Sequence, residues 1–279
     1  MNIRTIQKTY AGTKVMEGAG VRLTRIFSQP DVEDLDPFLL LDFFDSENPD
    51  DYIKGFPWHP HRGIETITYL INGEIEHGDS LGNKGVIEPL GCQWMTAGRG
   101  ILHQEMPQPT THLLGTQLWL NLPRENKMTE PAYRDIRSND LAVVVEEGLT
   151  VRIIAGSFGG KQGPVQGTYV DPVYLDVSLS SKGHFEMEIP EKDTVFLLLL
   201  EGSIQIPRSG GASILDVRGV LLSSGDHVVV DSAESVRFLL IAGRSLKEPI
   251  AWGGPIVMNT QAELSHAFAQ IRNNTFIEK

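Results

Sequence analysis

The chain has 279 residues, 41% of them apolar and 22% charged, which suits a globular protein of two ordinary domains or one large one and excludes a disordered one. Its formal net charge is −12, so a surface built to grip the phosphates of DNA or RNA is disfavoured. Cys92 is the only cysteine, so no intrachain disulfide can form, and the longest apolar runs, "PFLLLDFF" and "VFLLLLEG", are too short to cross a bilayer. With no secretion signal evident at the N-terminus, these features lead to the expectation of a soluble cytoplasmic protein.

Along the chain, most segments read as short strands broken by glycine. In "ETITYLINGEIEHGD", Thr66, Thr68 and Leu70 alternate with Ile67, Tyr69 and Ile71. Asn72-Gly73 is the pair that a tight type I′ hairpin favours, and "EIEH" reads as the returning strand. "GVIEPLGCQWMTAGRGILHQE" reads as further strands joined at Gly91 and at a Gly98/Gly100 turn, and "TQLWLNLP" as another strand. Residues 124–150 are more polar and read as a connection, after which strands resume from "VRIIAGSFGG" to "VRFLLIAG". Near the end, Thr260 and Glu263 form a capping box ahead of Leu264, Ala267, Phe268 and Ile271, which predicts an amphipathic helix at about 261–272.

Two stretches share a pattern. "YLINGEIEH" resembles "LLLEGSIQI", and "PLGCQWMTAG" resembles "SSGDHVVVDS". This weak repeat suggests two all-β units of similar build, each a sandwich or barrel.

The chemistry gathers in the first unit. His59 and His61 flank a proline and share one face of a strand; if that strand stays regular, Glu65 joins them. His103 and Glu105, again two apart, share a face downstream. Three imidazoles and a carboxylate are a donor set for Fe, Ni, Cu or Zn. His77, His112, His184, His227 and His266 read as ordinary polar residues, and Phe56, Trp58 and Met95 as pocket lining or packing. Sliding the second unit over the first sets Glu188 and Pro190 against His59 and His61, and Arg237 and Leu239 near His103 and Glu105, so no second metal set emerges.

The HxH pair, a following Glu, Gly73 and a later His resemble the motifs of the cupin superfamily. More narrowly, "DPFLLLDFF", "FPWHPHRGIETITYLINGEIEHGDSLGNKGVI", "QWMTAGRGILHQEMP" and "EPIAWGGPIVMNT" resemble the pirin family over residues 37–260, most of the chain. The resemblance implies a bicupin: two all-β, jelly-roll β-barrel domains packed face to face, with a metal in the N-terminal one. The expected division is residues 1–135 with the metal site and 136–279 without it, the latter carrying the C-terminal helix.

The resemblance further implies one iron ion, other divalent metals being possible, held by His59, His61, His103 and Glu105. The general cupin pattern would make Glu65 the carboxylate ligand; the pirin pattern makes it Glu105, which is preferred here. Glu65 is then left to orient a ligand histidine or, like Glu105, to act as a base. The implied activity is that of a quercetin 2,3-dioxygenase acting on a flavonol and O2. The competing expectation is a metal- and redox-dependent regulator that binds a protein partner without turnover. A zinc-dependent sugar isomerase is a third reading, disfavoured because the matching blocks extend well beyond the metal motif.

Overall fold

The computed structural model describes residues 1–206, 213–214 and 218–277. Strands dominate, as expected, and the chain forms two compact units. One unit comprises Thr13–Val32, Phe38–Ser138 and the segment from Leu246 onward; the other comprises Met1–Gly12, Glu33–Pro37 and Asn139–Ser245. This differs from a single cut at 135/136 at both ends of the chain. The strand Ile6–Tyr10 pairs with Gly219–Leu222, which ties it to the second unit. The C-terminal helix packs on Ala251–Gly253 and Ile256–Met258, within the unit that carries the histidines.

The histidine-bearing unit is built around two large antiparallel sheets, with a two-stranded one formed by Ala251–Gly253 and Ile256–Met258. The larger has seven strands in the order Ala132–Ile136, Cys92–Thr96, Ile64–Asn72, Leu113–Asn121, Phe38–Ser46, Val21–Phe27 and Thr13–Glu17. The smaller has four: Phe56–His61, Ile101–Pro107, Ile75–Asp79 and Lys84–Ile87. Ile64–Asn72 and Ile75–Asp79 therefore lie in different sheets, and Asn72-Gly73 does not close a hairpin. Each strand is claimed by other partners, Ile64–Asn72 by Leu113–Asn121 and Cys92–Thr96, and Ile75–Asp79 by Ile101–Pro107 and Lys84–Ile87. Gly73 supplies the positive φ (95°) at the crossing. Residues 124–150, expected as a connection, contain two strands, Ala132–Ile136 and Ala142–Glu146.

The other unit repeats this build with a seven-stranded and a four-stranded sheet. The places of Phe56–His61 and Ile101–Pro107 are taken there by His184–Glu188 and His227–Asp231. Those strands turn Phe185, Val228 and Val230 into an apolar core, all fully buried. Arg237 and Leu239 lie instead on Val236–Arg244, which answers to Leu113–Asn121; the sequence repeat had set the match one strand too late.

The helix Gln261–Arg272 forms where its cap signals place it. Thr260 Oγ1 accepts from the Glu263 amide at 3.2 Å, and the Glu263 carboxylate accepts from the Thr260 amide at 2.9 Å. Leu264 and Ala267 are buried against the Ile256–Met258 strand. From this segment comes a clamp on the "HPHRG" stretch. The fully buried Arg62 guanidinium donates to Arg99 O, to Gln270 Oε1 at 2.6 Å and to Phe276 O at 3.1 Å, and lies 4.2 Å from the centre of the Phe276 ring. The Val257 amide donates to Arg62 O at 3.1 Å.

Gly63 makes this close approach possible. Its φ is +75°, and a Cβ there would stand 2.0 Å from Val257 O. Gly82 also has a positive φ (+89°), with nothing within 4 Å. Replacing each by alanine separates conformational strain from collision. Denaturant unfolding should show a loss of about 1–2 kcal/mol for Gly82→Ala and more than about 3 kcal/mol for Gly63→Ala.

Candidate metal centre

The centre is an outcome of strand alternation across one sheet. His59 and His61 point the same way from Phe56–His61. His103 stands opposite His59 in the paired strand Ile101–Pro107, so it shares their face. The ring centroids are 4.3 Å apart for His59 and His103, 4.9 Å for His59 and His61, and 5.0 Å for His61 and His103. One nitrogen from each ring lies within 4.8 Å of the others, the only such group of three among the described residues.

The protein chooses which nitrogens converge. His59 Nδ1 is 2.8 Å from Pro57 O and His61 Nδ1 is 3.2 Å from Pro255 O. A carbonyl only accepts, so each Nδ1 carries the proton and each Nε2 keeps its lone pair for a cation. His103 is more constrained: both of its ring nitrogens are buried without a hydrogen-bond partner. Burial lowers the pKa of His61 and of His103 well below the usual imidazole value, and the neighbouring histidines push both the same way. Neutral imidazoles at close quarters, with lone pairs facing one another, fit a metal ion.

Glu105 stands beside this group, outside the set whose atoms all lie within 4.8 Å of one another. It follows His103 by two residues, and its Oε2 lies 4.0 Å from His103 Nε2. Gln117 Nε2 donates to both carboxylate oxygens at 2.8 Å, and Thr68 Oγ1 donates to Oε1 at 3.0 Å. The orientation of the Gln117 amide is set in turn by Trp119, whose Nε1 donates to Gln117 Oε1 at 3.2 Å. A further wall comes from Ile75–Asp79. His77 stands opposite Glu105 and Asp79 opposite His103; the His77 ring stacks on Tyr133 at 4.7 Å and lies 5.5 Å from the His103 ring. The same two-residue period that marks HxH and HxE runs through His77 and Asp79, so this wall was there to be read.

Glu65 does not join the group. The regular strand that would have carried it ends at His61, and the chain turns at Gly63 into the other sheet. There Glu65 pairs with Thr96 and Leu120, on the face opposite to Thr68 and Gln117. Its Oε1 accepts from Thr96 Oγ1 at 2.6 Å, and burial raises its pKa. Met95 is core, packed with Leu39, Ile64 and Ile101, and Trp58 is 55% exposed. Of the three expected lining residues only Phe56 borders the cavity. His112, His184 and His227 pair with Asp45, Asp231 and Asp226.

The cavity above His59 and His61 measures about 570 Å³, within the roughly 300–1,000 Å³ of small-molecule sites. Trp119 and Trp252 form an aromatic wall, their ring centroids 6.0 Å apart and the planes inclined by 35°. Arg25, Asp42 and Glu17 form a polar one. Trp252 and Pro255 come from the segment after residue 246, which no local motif ties to the histidines.

Residues 20–120 match the family description "Pirin", and residues 174–277 match "Pirin C-terminal cupin domain". A pirin-like protein of Caulobacter vibrioides is 40% identical over 279 residues, covering 99% of this chain and 100% of its own. The chain belongs to the pirin family. Human Pirin is 40% identical over 261 residues, with 92% of this chain and 88% of that protein covered. A crystal structure of quercetin 2,3-dioxygenase from Acinetobacter baumannii superimposes with a TM-score of 0.89 at 31% identity, covering 98% of each chain. The two β units are thus the two cupin domains of a pirin, and the histidine cluster lies in the part of the chain matched by the first description.

Two outcomes follow. Glu105→Gln should weaken retention of a bound divalent metal at least tenfold, whereas Glu65→Gln leaves it within about threefold; dialysis followed by elemental analysis reads both. The second concerns pH. His61 and His103 refuse protons in the fold that the unfolded chain accepts near pH 6.5. Their contribution is therefore in place above about pH 6.5 and is lost as pH falls below it, by up to about 1.4 kcal/mol per pH unit for each ring. Urea unfolding of chelator-treated protein between pH 7.5 and 5.5 should show that slope, and His103→Gln should flatten it.

Proposed function

We propose that this chain is a quercetin 2,3-dioxygenase-type oxidoreductase that opens flavonols with O2 at one mononuclear iron ion. The ligands would be His59, His61, His103 and Glu105. The observation that carries this reading is the convergence of three imidazoles beside a cavity of about 570 Å³ with an aromatic wall. When bound, the metal supplies Lewis acidity that lowers the pKa of a flavonol hydroxyl and polarises the neighbouring carbonyl.

The chain's own residues do the rest. Pro57 O and Pro255 O hold His59 and His61 in the tautomer that leaves Nε2 free. Gln117 and Thr68 hold the Glu105 carboxylate, which would take the proton of the substrate hydroxyl. Trp119 and Trp252 offer flat faces to the flavonol rings and keep water from them. Glu65, facing the other side of its sheet, has no part in this scheme. Cys92 is buried and burial pushes its thiol far from reactivity; a single protected thiol suits the cytoplasm, the location proposed.

One observation favours the second reading, a regulator read by a protein partner. Trp58 lies on the outer face of the strand whose inner face carries His59 and His61, and it is exposed. One experiment separates the two. Iron-loaded protein should consume quercetin in air and release carbon monoxide, and His59→Ala and His103→Ala should each lose at least about 100-fold of that rate. Absence of turnover across several flavonols, with iron bound, overturns the enzyme and leaves the regulator.

A further inference from the structure

The cavity is lined by two chemically different polar groups. One is the histidines. In the other, Arg25 donates through Nε and Nη2 to the two oxygens of Asp42, both at 2.8 Å, and through Nη1 to Glu17 Oε1 at 2.7 Å, with Asp42 opposite Gln117 in the paired strand. Asp42 is buried, and Arg25 is only partly exposed. The cluster is organised before any ligand arrives. Its formal charge is −1, from two carboxylates and one guanidinium, so it repels an acidic substrate. Its carboxylate oxygens retain lone pairs, and the Arg25 terminal nitrogens each carry a second hydrogen. It can therefore accept from one hydroxyl and donate to its neighbour. Trp119 and Trp252 line the same cavity, Trp119 against His61 with ring centroids 4.9 Å apart.

We infer that Arg25, Asp42 and Glu17 form a recognition site for vicinal aromatic hydroxyls, so that the ligand is an uncharged, planar catechol-bearing molecule reaching from the histidines to this cluster. The inference rests on the flavonol reading and narrows it: the outer ring of the flavonol must carry adjacent hydroxyls. Two hydroxyls engage the cluster together, one donating to a carboxylate oxygen and the other accepting from the guanidinium. A ligand without them covers the remaining lone pairs and hydrogens of the cluster and returns no hydrogen bond, so it binds more weakly. Arg25, Asp42 and Glu17 are specificity residues here and take no part in the oxidation.

The test is anaerobic binding to metal-loaded protein, so that no turnover occurs, followed by quenching of tryptophan fluorescence. The probes are quercetin, kaempferol and galangin, whose outer rings carry two, one and no hydroxyls, and oxalate as an acidic competitor. Quercetin should bind at least about tenfold more tightly than galangin, with kaempferol between them. Asp42→Asn and Glu17→Gln should each bring that ratio below about threefold while galangin affinity stays nearly constant. Glu17 is partly exposed, so its variant reports even where Asp42→Asn folds poorly. Equal affinity for the three flavonols, or a preference that survives in Glu17→Gln, overturns the inference and leaves the dioxygenase reading standing. Oxalate binding more tightly than quercetin overturns it as well. Failure of all three flavonols to bind removes the inference and the flavonol reading together.

Discussion

Everything at the centre depends on one constraint: His103 is buried with neither ring nitrogen hydrogen-bonded. An unsatisfied buried polar group costs about 1–3 kcal/mol, so a protein retains one only where something else uses it. Two more imidazoles lean toward it with their Nε2 atoms free, because backbone carbonyls have taken the other nitrogens. The arrangement is unfavourable for protons and favourable for a cation. The Glu105 carboxylate, held from behind by Gln117 and Thr68, is the oxygen proposed to complete the donor set.

The fold bears this strain by making the site from rigid parts. All four proposed ligands lie on the paired strands Phe56–His61 and Ile101–Pro107, where register fixes direction. The loop between the sheets is then locked from outside. Arg62, next to His61, is buried and bonded to Gln270 and Phe276, and Pro255 reaches His61 itself. The segment from Leu246 onward, which also supplies Trp252, is thus part of the candidate metal site and of the cavity wall. The second unit shows the alternative solution: the same four-stranded sheet, with Phe185, Val228 and Val230 turned inward, makes an ordinary apolar core.

The sequence carried the parts of this that depend on short-range period. HxH, HxE, the capping box at Thr260 and the glycine turn at Gly98 and Gly100 each specify a local geometry, and each stands where the pattern places it. What it could not carry was contact across long separations. The Arg62–Gln270 and His61–Pro255 contacts join residues 208 and 194 positions apart. Gln117, Trp119 and Asp42 sit on strands whose apolar look hides a polar inner face. The placement of Glu65 failed for a specific reason: period-two reasoning assumes one continuous strand, and the turn at Gly63 moves the chain to another sheet with the parity reversed. The Asn72-Gly73 hairpin failed similarly, since a good turn sequence does not decide which sheet the next strand joins.

The central claim is that these four side chains hold one metal ion. Anomalous diffraction at the metal absorption edge, on crystals of metal-loaded protein, tests it most directly. The account predicts a single peak among His59, His61 and His103, with a Glu105 oxygen as the fourth protein ligand. A peak ligated by Glu65, a second peak in the other β unit, or a Glu105 carboxylate still held by Gln117 and Thr68 with no bond to the ion would contradict it.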